Sequence, residues 1–170
     1  MVRLLLIFVL ILSCVPKQEH PLMHNLEPSG EADFKVIELR VPEYLDTERI
    51  MYKTDKGFYY FAKNVWVCEL SCVLENYFKK AQGGEEKVYL EVLDFYPVFT
   101  GKKEGYVYLR ARVDRKKEYV YKIPFKVRSF EEIILKMNEA VNRLLEDVNK
   151  YVQITTSSKS ISDSGLPTPP

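Results

Sequence analysis

Hydrophobic positions along the chain change period several times, and each change marks an element. Residues 34–41 alternate imperfectly through Phe34, Val36, Leu39 and Val41, which predicts a strand that Pro42 ends. Residues 49–53 and 58–61 flank "TDKG", a turn signal, and predict a hairpin. Asn64 is a candidate N-cap. After it Trp66, Leu70, Val73 and Tyr77 recur at helical spacing as far as Lys80, where "QGG" ends the helix. Three long strands are expected at 87–100, 106–114 and 118–127, joined by "GKKEG" and "DRKK" as an antiparallel meander. "SFEE" then reads as a capping box of Ser129 with Glu132. It opens a helix whose apolar stripe runs from Ile133 through Met137, Val141, Leu144 and Val148 to Val152. The order β-ββ-α-βββ-α implies an α+β two-layer sandwich, a mainly antiparallel sheet with two helices on one face.

The other face of that sheet is then left without a helix. Val107, Leu109, Ala111 and Val113 fall on the helix side by the period-two rule, and Tyr106, Tyr108, Arg110 and Arg112 on the open side. Tyr119 and Tyr121 on the neighbouring strand join the open side if the hairpin register allows. The open face thus reads as aromatic and basic, with residue types enriched at interface hot spots.

The ends of the chain have a different pattern. Residues 4–12 are unbroken apolar, after a single basic residue, Arg3. A membrane-spanning helix needs about 20 apolar residues, so the run is too short to span and fits a secretory signal. Ile11-Leu12-Ser13-Cys14 resembles the bacterial lipobox, which implies cleavage between Ser13 and Cys14 and lipid attachment (palmitate among the acyl groups) at Cys14. Val15, where Asp would favour inner-membrane retention, points to the outer membrane. The domain organisation read from these patterns is a signal peptide at 1–13, a lipidated tether at 14–33, one α+β domain at 34–154 and a disordered Ser/Thr/Pro-rich tail at 155–170.

Composition adds exclusions. The chain has 170 residues, enough for one domain, and 46% of them are apolar, enough for a core. Removing residues 1–13 takes away only Arg3 among the charges and leaves 24 of each sign. That balance gives no general attraction to nucleic acid. The Tyr/Arg face has a base-stacking chemistry, but an exported, anchored protein seldom meets nucleic acid. There is no Gly-rich phosphate loop, no nucleophile elbow and no histidine within 34–154, so no catalytic residue, cofactor site or metal site is nominated and a non-enzymatic role is expected. Glu38, Glu43, Asp46 and Glu91 read as surface ion-pair partners rather than paired acids. Cys68 and Cys72 admit three readings: two buried thiols, a disulfide across four residues, awkward if both lie in one helix, or a metal pair without further ligands.

Two stretches resemble a known family. Val41-Pro42-Glu43-Tyr44-Leu45-Asp46, followed by Arg49-Ile50, resembles a V-P-E-Y-L-D-x-x-x-I element, and Trp66 with Leu70 and Leu74 resembles an R-W-A-E-P-L helix start. Both belong to the ABC-type transport auxiliary lipoproteins of the paraquat-inducible protein C type. Val65 stands where that family has Arg, and Cys68-Glu69 where it has Glu-Pro. The resemblance implies a lipid-anchored, periplasm-facing subunit that works beside a mammalian-cell-entry (MCE) domain protein, with the ABC permease and ATPase on separate chains, in lipid traffic between inner and outer membranes. A docking or scaffold subunit fits the sequence best; a lipid carrier and an outer-membrane assembly lipoprotein are the rivals. Expected partner contacts are Glu43 and Tyr44 on the connector and Tyr106, Tyr108, Arg110 and Arg112 on the open face, with a homo-oligomer as another user of that face.

Overall fold

Strand β5 is the longest strand and organises the sheet. The computed structural model describes residues 20–163 and gives, in order, β1 (Leu22–His24), β2 (Ala32–Arg40), β3 (Arg49–Thr54), β4 (Gly57–Trp66), α1 (Leu70–Ala81), β5 (Gln82–Phe99), β6 (Glu104–Val113), β7 (Lys117–Lys126) and α2 (Phe130–Asp163). Among the described residues seven strands form one sheet in the order β1-β4-β3-β5-β6-β7, with β2 paired beside the first half of β5. The meander β5-β6-β7 and the hairpin β3-β4 are antiparallel. The pairs β1/β4, β2/β5 and β3/β5 are parallel. Parallel neighbours need a crossover, and between β2 and β5 the crossover contains the β3-β4 hairpin and α1. The α+β sandwich with a mostly antiparallel sheet is as expected. Helix α1 packs on β2, and α2 on β7, β6, β2 and β5.

The core fills the space between sheet and helices. Helix α2 buries Ile133, Met137, Ala140, Val141, Leu144, Leu145, Val148 and Val152, the stripe expected from 3.6-residue periodicity. The sheet answers with Val88, Leu90, Val92, Phe95, Val107, Leu109, Ala111 and Val113.

Several boundaries differ from the sequence reading. Asn64 does not cap a helix: it lies in β4 opposite Leu22, and its Oδ1 is 2.9 Å from His24 Nε2. Strand β4 therefore runs through Trp66, which is buried and stacks on Phe95 at 6.3 Å between ring centroids. Trp66 is a core residue as expected, but from the end of a strand. Helix α1 starts only at Leu70, and the Ser71 N–H at its first turn donates to Asp46 Oδ1 at 2.8 Å, which satisfies a donor the helix itself leaves open. Because Cys68 precedes the helix, the four-residue spacing is not confined to a helical turn. The two cysteines are joined in a disulfide with their Cα atoms 6.0 Å apart, inside the usual range. "QGG" is not a helix cap either. Gly83 and Gly84 belong to β5, and a Cβ on Gly84 would lie 2.1 Å from the Asp33 backbone, so glycine there lets β2 approach.

The segment expected to be a tether is folded from Leu22 onward. Leu26 is buried, and α2 holds the backbone of residues 27–33 with a ladder of asparagines. The Glu27 N–H donates to Asn138 Oδ1, whose amide returns a bond to the Glu27 carbonyl, both at 2.8 Å. The Ser29 N–H donates to Asn142 Oδ1 and the Asp33 N–H to Asn149 Oδ1. At the other end α2 continues through residues 155–163, where a disordered tail was expected; the Thr155 and Thr156 hydroxyls donate back to the Tyr151 and Val152 carbonyls. The capping box is displaced by one residue: Glu132 accepts from the Arg128 N–H.

Trp66→Ala should lower stability by about 3–5 kcal/mol, because a large buried ring is removed from a close-packed site. Thermal unfolding of the two proteins measures it.

Candidate functional site

The open face of the sheet is shaped by an irregularity in β5. Leu90 and Val92 pair with Val113 and Ala111, and then a bulge at Leu93 shifts the register, so that Asp94 pairs with Arg110 and Tyr96 with Tyr108. One extra residue reverses the alternation. Even-numbered positions face the helices before the bulge and the open side after it. Asp94, which would have entered the core by continued alternation, joins the open face, and Phe95 takes the place inside.

On that face Asp94 is almost fully covered and Arg110 half-exposed. Arg110 Nε donates to Asp94 Oδ2 at 2.7 Å, and the Tyr96 hydroxyl donates to Oδ1 at 3.1 Å. The Tyr96 ring meets Tyr108 at 5.9 Å and the edge of Phe58 at 5.3 Å. The connector after β2 lies across the same face. Pro42 starts a turn in which its carbonyl accepts the Leu45 and Asp46 N–H groups. Leu45 is buried, and the Tyr44 hydroxyl reaches over to donate to the carbonyl of Leu93, the bulged residue, at 3.0 Å. A bulge leaves ladder groups unpaired, and Tyr44 supplies the donor. The Tyr60 hydroxyl in turn donates to the Tyr44 carbonyl.

The structure thus brings together Tyr44, Tyr106, Tyr108, Arg110 and Arg112, with Glu43 exposed beside Tyr44. It adds Asp94, Tyr96, Phe58 and Tyr60, which the alternation alone could not place. The β6/β7 register does not allow Tyr119 and Tyr121 to join this face. Their register partners are Ala111 and Leu109, and their hydroxyls bond to α2, Tyr119 to the Asp147 carbonyl and Tyr121 to the Asp147 carboxylate at 2.8 Å. The slot beside Arg110 is filled instead by Val120, and Lys122 lies over the Tyr106 ring. Nor is the face basic. Arg110 is matched by Asp94, and Arg112 bridges Glu91 at 3.2 Å and Glu118 at 3.5 Å. Of the four carboxylates read as surface partners, Glu38 pairs with Arg40 and Glu91 with Arg112, whereas Asp46 serves the α1 N-terminus. Ser13 and Cys14 lie outside the described residues.

Burial and the charge of Asp94 hold the Tyr96 phenol above its ordinary value of 10.0. Burial and Asp94 raise Tyr44 as well, with Arg110 opposing them. The hydrogen bond to Asp94, and then its charge, raise Arg110. The face is therefore a cross-linked aromatic surface in which Asp94 is paired with Arg110 and the neighbouring Tyr44 and Tyr96 phenols are held protonated. Among the described residues no cluster of His, Cys, Asp and Glu could hold a metal ion, and no helix is long and apolar enough to cross a membrane.

No family model matches the chain. Its fold is similar to the crystal structure of protein XCC0632 from Xanthomonas campestris, assigned to the family model DUF330. The TM-score is 0.62 at 13% identity, over 83% of this chain and 97% of that one. A second solved structure, of an uncharacterized protein, matches with a TM-score of 0.58 at 12% identity, over 79% of this chain and 99% of that one. At such identities the likeness is one of fold, and it covers nearly the whole of both relatives.

Two outcomes are expected at this site. Arg110→Ser leaves the Asp94 carboxylate without its partner and should cost about 1–3 kcal/mol, less than for a fully buried pair because Arg110 meets water; chemical denaturation measures it. Tyr96, Tyr121 and Tyr77 all have phenols raised by burial. A group raised on folding stabilises the protein below its unfolded value, near pH 10, and that stability is lost as pH climbs above it. Absorbance titration at alkaline pH should therefore show a fraction of tyrosines that ionise only as the protein unfolds.

Proposed function

We propose that this chain is a lipid-anchored protein of the cell envelope, held by Cys14 at the outer membrane and facing the periplasm, where it serves as the docking subunit of an ABC-type lipid transport system. Its partner in this reading is an MCE-domain protein, and through it the permease and ATPase. The observation that carries the reading is the open sheet face: a pre-formed aromatic surface, fixed by Tyr44, Asp94 and Arg110, on the side of the sheet away from both helices. The lipobox-like segment and the family resemblance support the anchor and the partner, and the shared fold with the Xanthomonas protein is compatible with them. The helix side favours docking over carriage, since its space is taken by packed side chains from Phe34 to Val148.

Cys14→Ser should abolish fatty-acid labelling; unchanged labelling would refute the anchor. For the contact surface, Tyr106→Ser with Tyr108→Ser is a cleaner probe than any change at Arg110, which supports Asp94. The double variant and Glu43→Lys should melt near the wild type and lose co-purification of the MCE-domain partner. Full retention of that partner by both variants would place the docking surface elsewhere.

A further inference from the structure

Where the first half of β5 lies between β2 and β6, the open face carries a row of charges. Arg40, Glu91, Arg112 and Glu118 are register neighbours across β2, β5, β6 and β7, and their signs alternate. Arg112 reaches both Glu91 and Glu118, and Arg40 Nε turns to Glu38 on its own strand. Opposite charges on adjacent strands support the sheet, so the row by itself is structural. Beside it lies a cavity of about 280 Å³, and three guanidinium groups line it: Arg40, Arg112 and Arg115. Two carboxylates, Glu38 and Glu91, and the exposed Tyr89 complete the polar lining. Arg40 and Arg112 each have a carboxylate partner; Arg115 has none among the described residues.

The backbone at Arg115 is unusual. Asp114 and Arg115 have φ of 49° and 59°, and the Lys116 N–H closes the turn on the Val113 carbonyl at 2.9 Å. Two positive φ values in a closed hairpin turn are the type I′ pattern, whose central positions favour Asn, Asp and Gly. Asp114 has a local reason to be there. Its Oδ1 accepts the Tyr89 N–H at 3.0 Å, and its own N–H donates to the Tyr89 carbonyl at 2.8 Å. Arg115 has no such bond. A long side chain in left-handed backbone costs stability, and such costs gather at functional positions. Here the residue that bears the cost is the unpaired cation of the cavity.

The lining selects the ligand. Arg115 presents a whole guanidinium fork, and Arg40 keeps the N–H groups that Glu38 does not use. One fork fills a planar carboxylate, whereas the tetrahedral oxygens of a phosphate accept from more than one wall. Glu38 and Glu91 repel a polyanion, so the phosphate has to carry a single charge. We propose that this groove binds a phosphodiester, with Arg115 and Arg40 on its oxygens, Arg112 beside them and the Tyr89 ring against its ester substituent. A free phosphodiester and a lipid headgroup share that chemistry.

The test uses the full chain, isotope-labelled, in phosphate-free detergent micelles. The probes are glycerophosphoglycerol, a soluble phosphodiester, and dihexanoyl phosphatidylglycerol, the same headgroup on a short lipid. The amide resonances of Tyr89, Asp114 and Arg115 should shift saturably, with the soluble diester if the ligand is free and with the lipid alone if it is a headgroup. Arg115→Gly suits the left-handed backbone. It should melt at or above the wild-type temperature while binding weakens by roughly tenfold or more. Unchanged binding in that variant overturns the assignment. A lowered melting temperature does so as well, because Arg115 would then be a structural part of the turn. Butyrate bound as tightly as the diester overturns the ligand class, and the absence of a saturable shift with both phosphodiesters overturns the site. The anchor at Cys14 and the docking partner do not enter these measurements and stand or fall separately.

Discussion

The bulge at Leu93 is the constraint on which both faces of the sheet depend. Side chains on a strand alternate with period two, so a single extra residue exchanges the faces for everything beyond it. Before the bulge β5 sends Val88, Leu90 and Val92 to the helices; after it, Phe95. Without that shift Asp94 would be sealed in the core without its partner, and Phe95 could not stack on Trp66. With it, Asp94 meets Arg110 and Tyr96 meets Tyr108 across the β5/β6 ladder. The bulge also leaves a carbonyl that Tyr44 satisfies, so the connector after β2 is drawn onto the open face.

That connector links the two layers. Within five residues Pro42 sets the turn, Tyr44 clips onto the open side, Leu45 enters the core and Asp46 satisfies the first turn of α1. Each is a local interaction of modest strength, but they act on three different elements. A change in this segment therefore acts on the placement of α1 as well as on the exposed surface, and effects at Glu43 and Tyr44 have to be separated from effects at Leu45 and Asp46. The asparagine ladder of α2 does the same for the segment before β2: it turns a polar stretch with little periodicity into ordered backbone by supplying side-chain partners for its N–H and carbonyl groups.

The proposed functional surfaces follow from this division. The helix side is filled with packed side chains, and the open side is cross-linked by the hydrogen bonds of Tyr44, Asp94, Tyr96 and Arg110.

The sequence by itself determined the fold class, the long amphipathic helix, the meander and the alternation along β6, because each rests on a periodicity that local neighbours enforce. It also placed Trp66 in the core, since a large ring on an apolar stripe has few other places to go. Only the tertiary structure decided the rest, and for one physical reason: a strand's face depends on its partner. Tyr119 and Tyr121 alternate as well on one side as on the other until the β6/β7 register assigns them to α2. The bulge in β5 leaves no mark in a run of apolar residues. Asn64 satisfies the composition of a helix cap, yet β1 claims it from 40 residues away. Asn138, Asn142 and Asn149 read as a solvated helix face until the backbone of residues 27–33 arrives to use them.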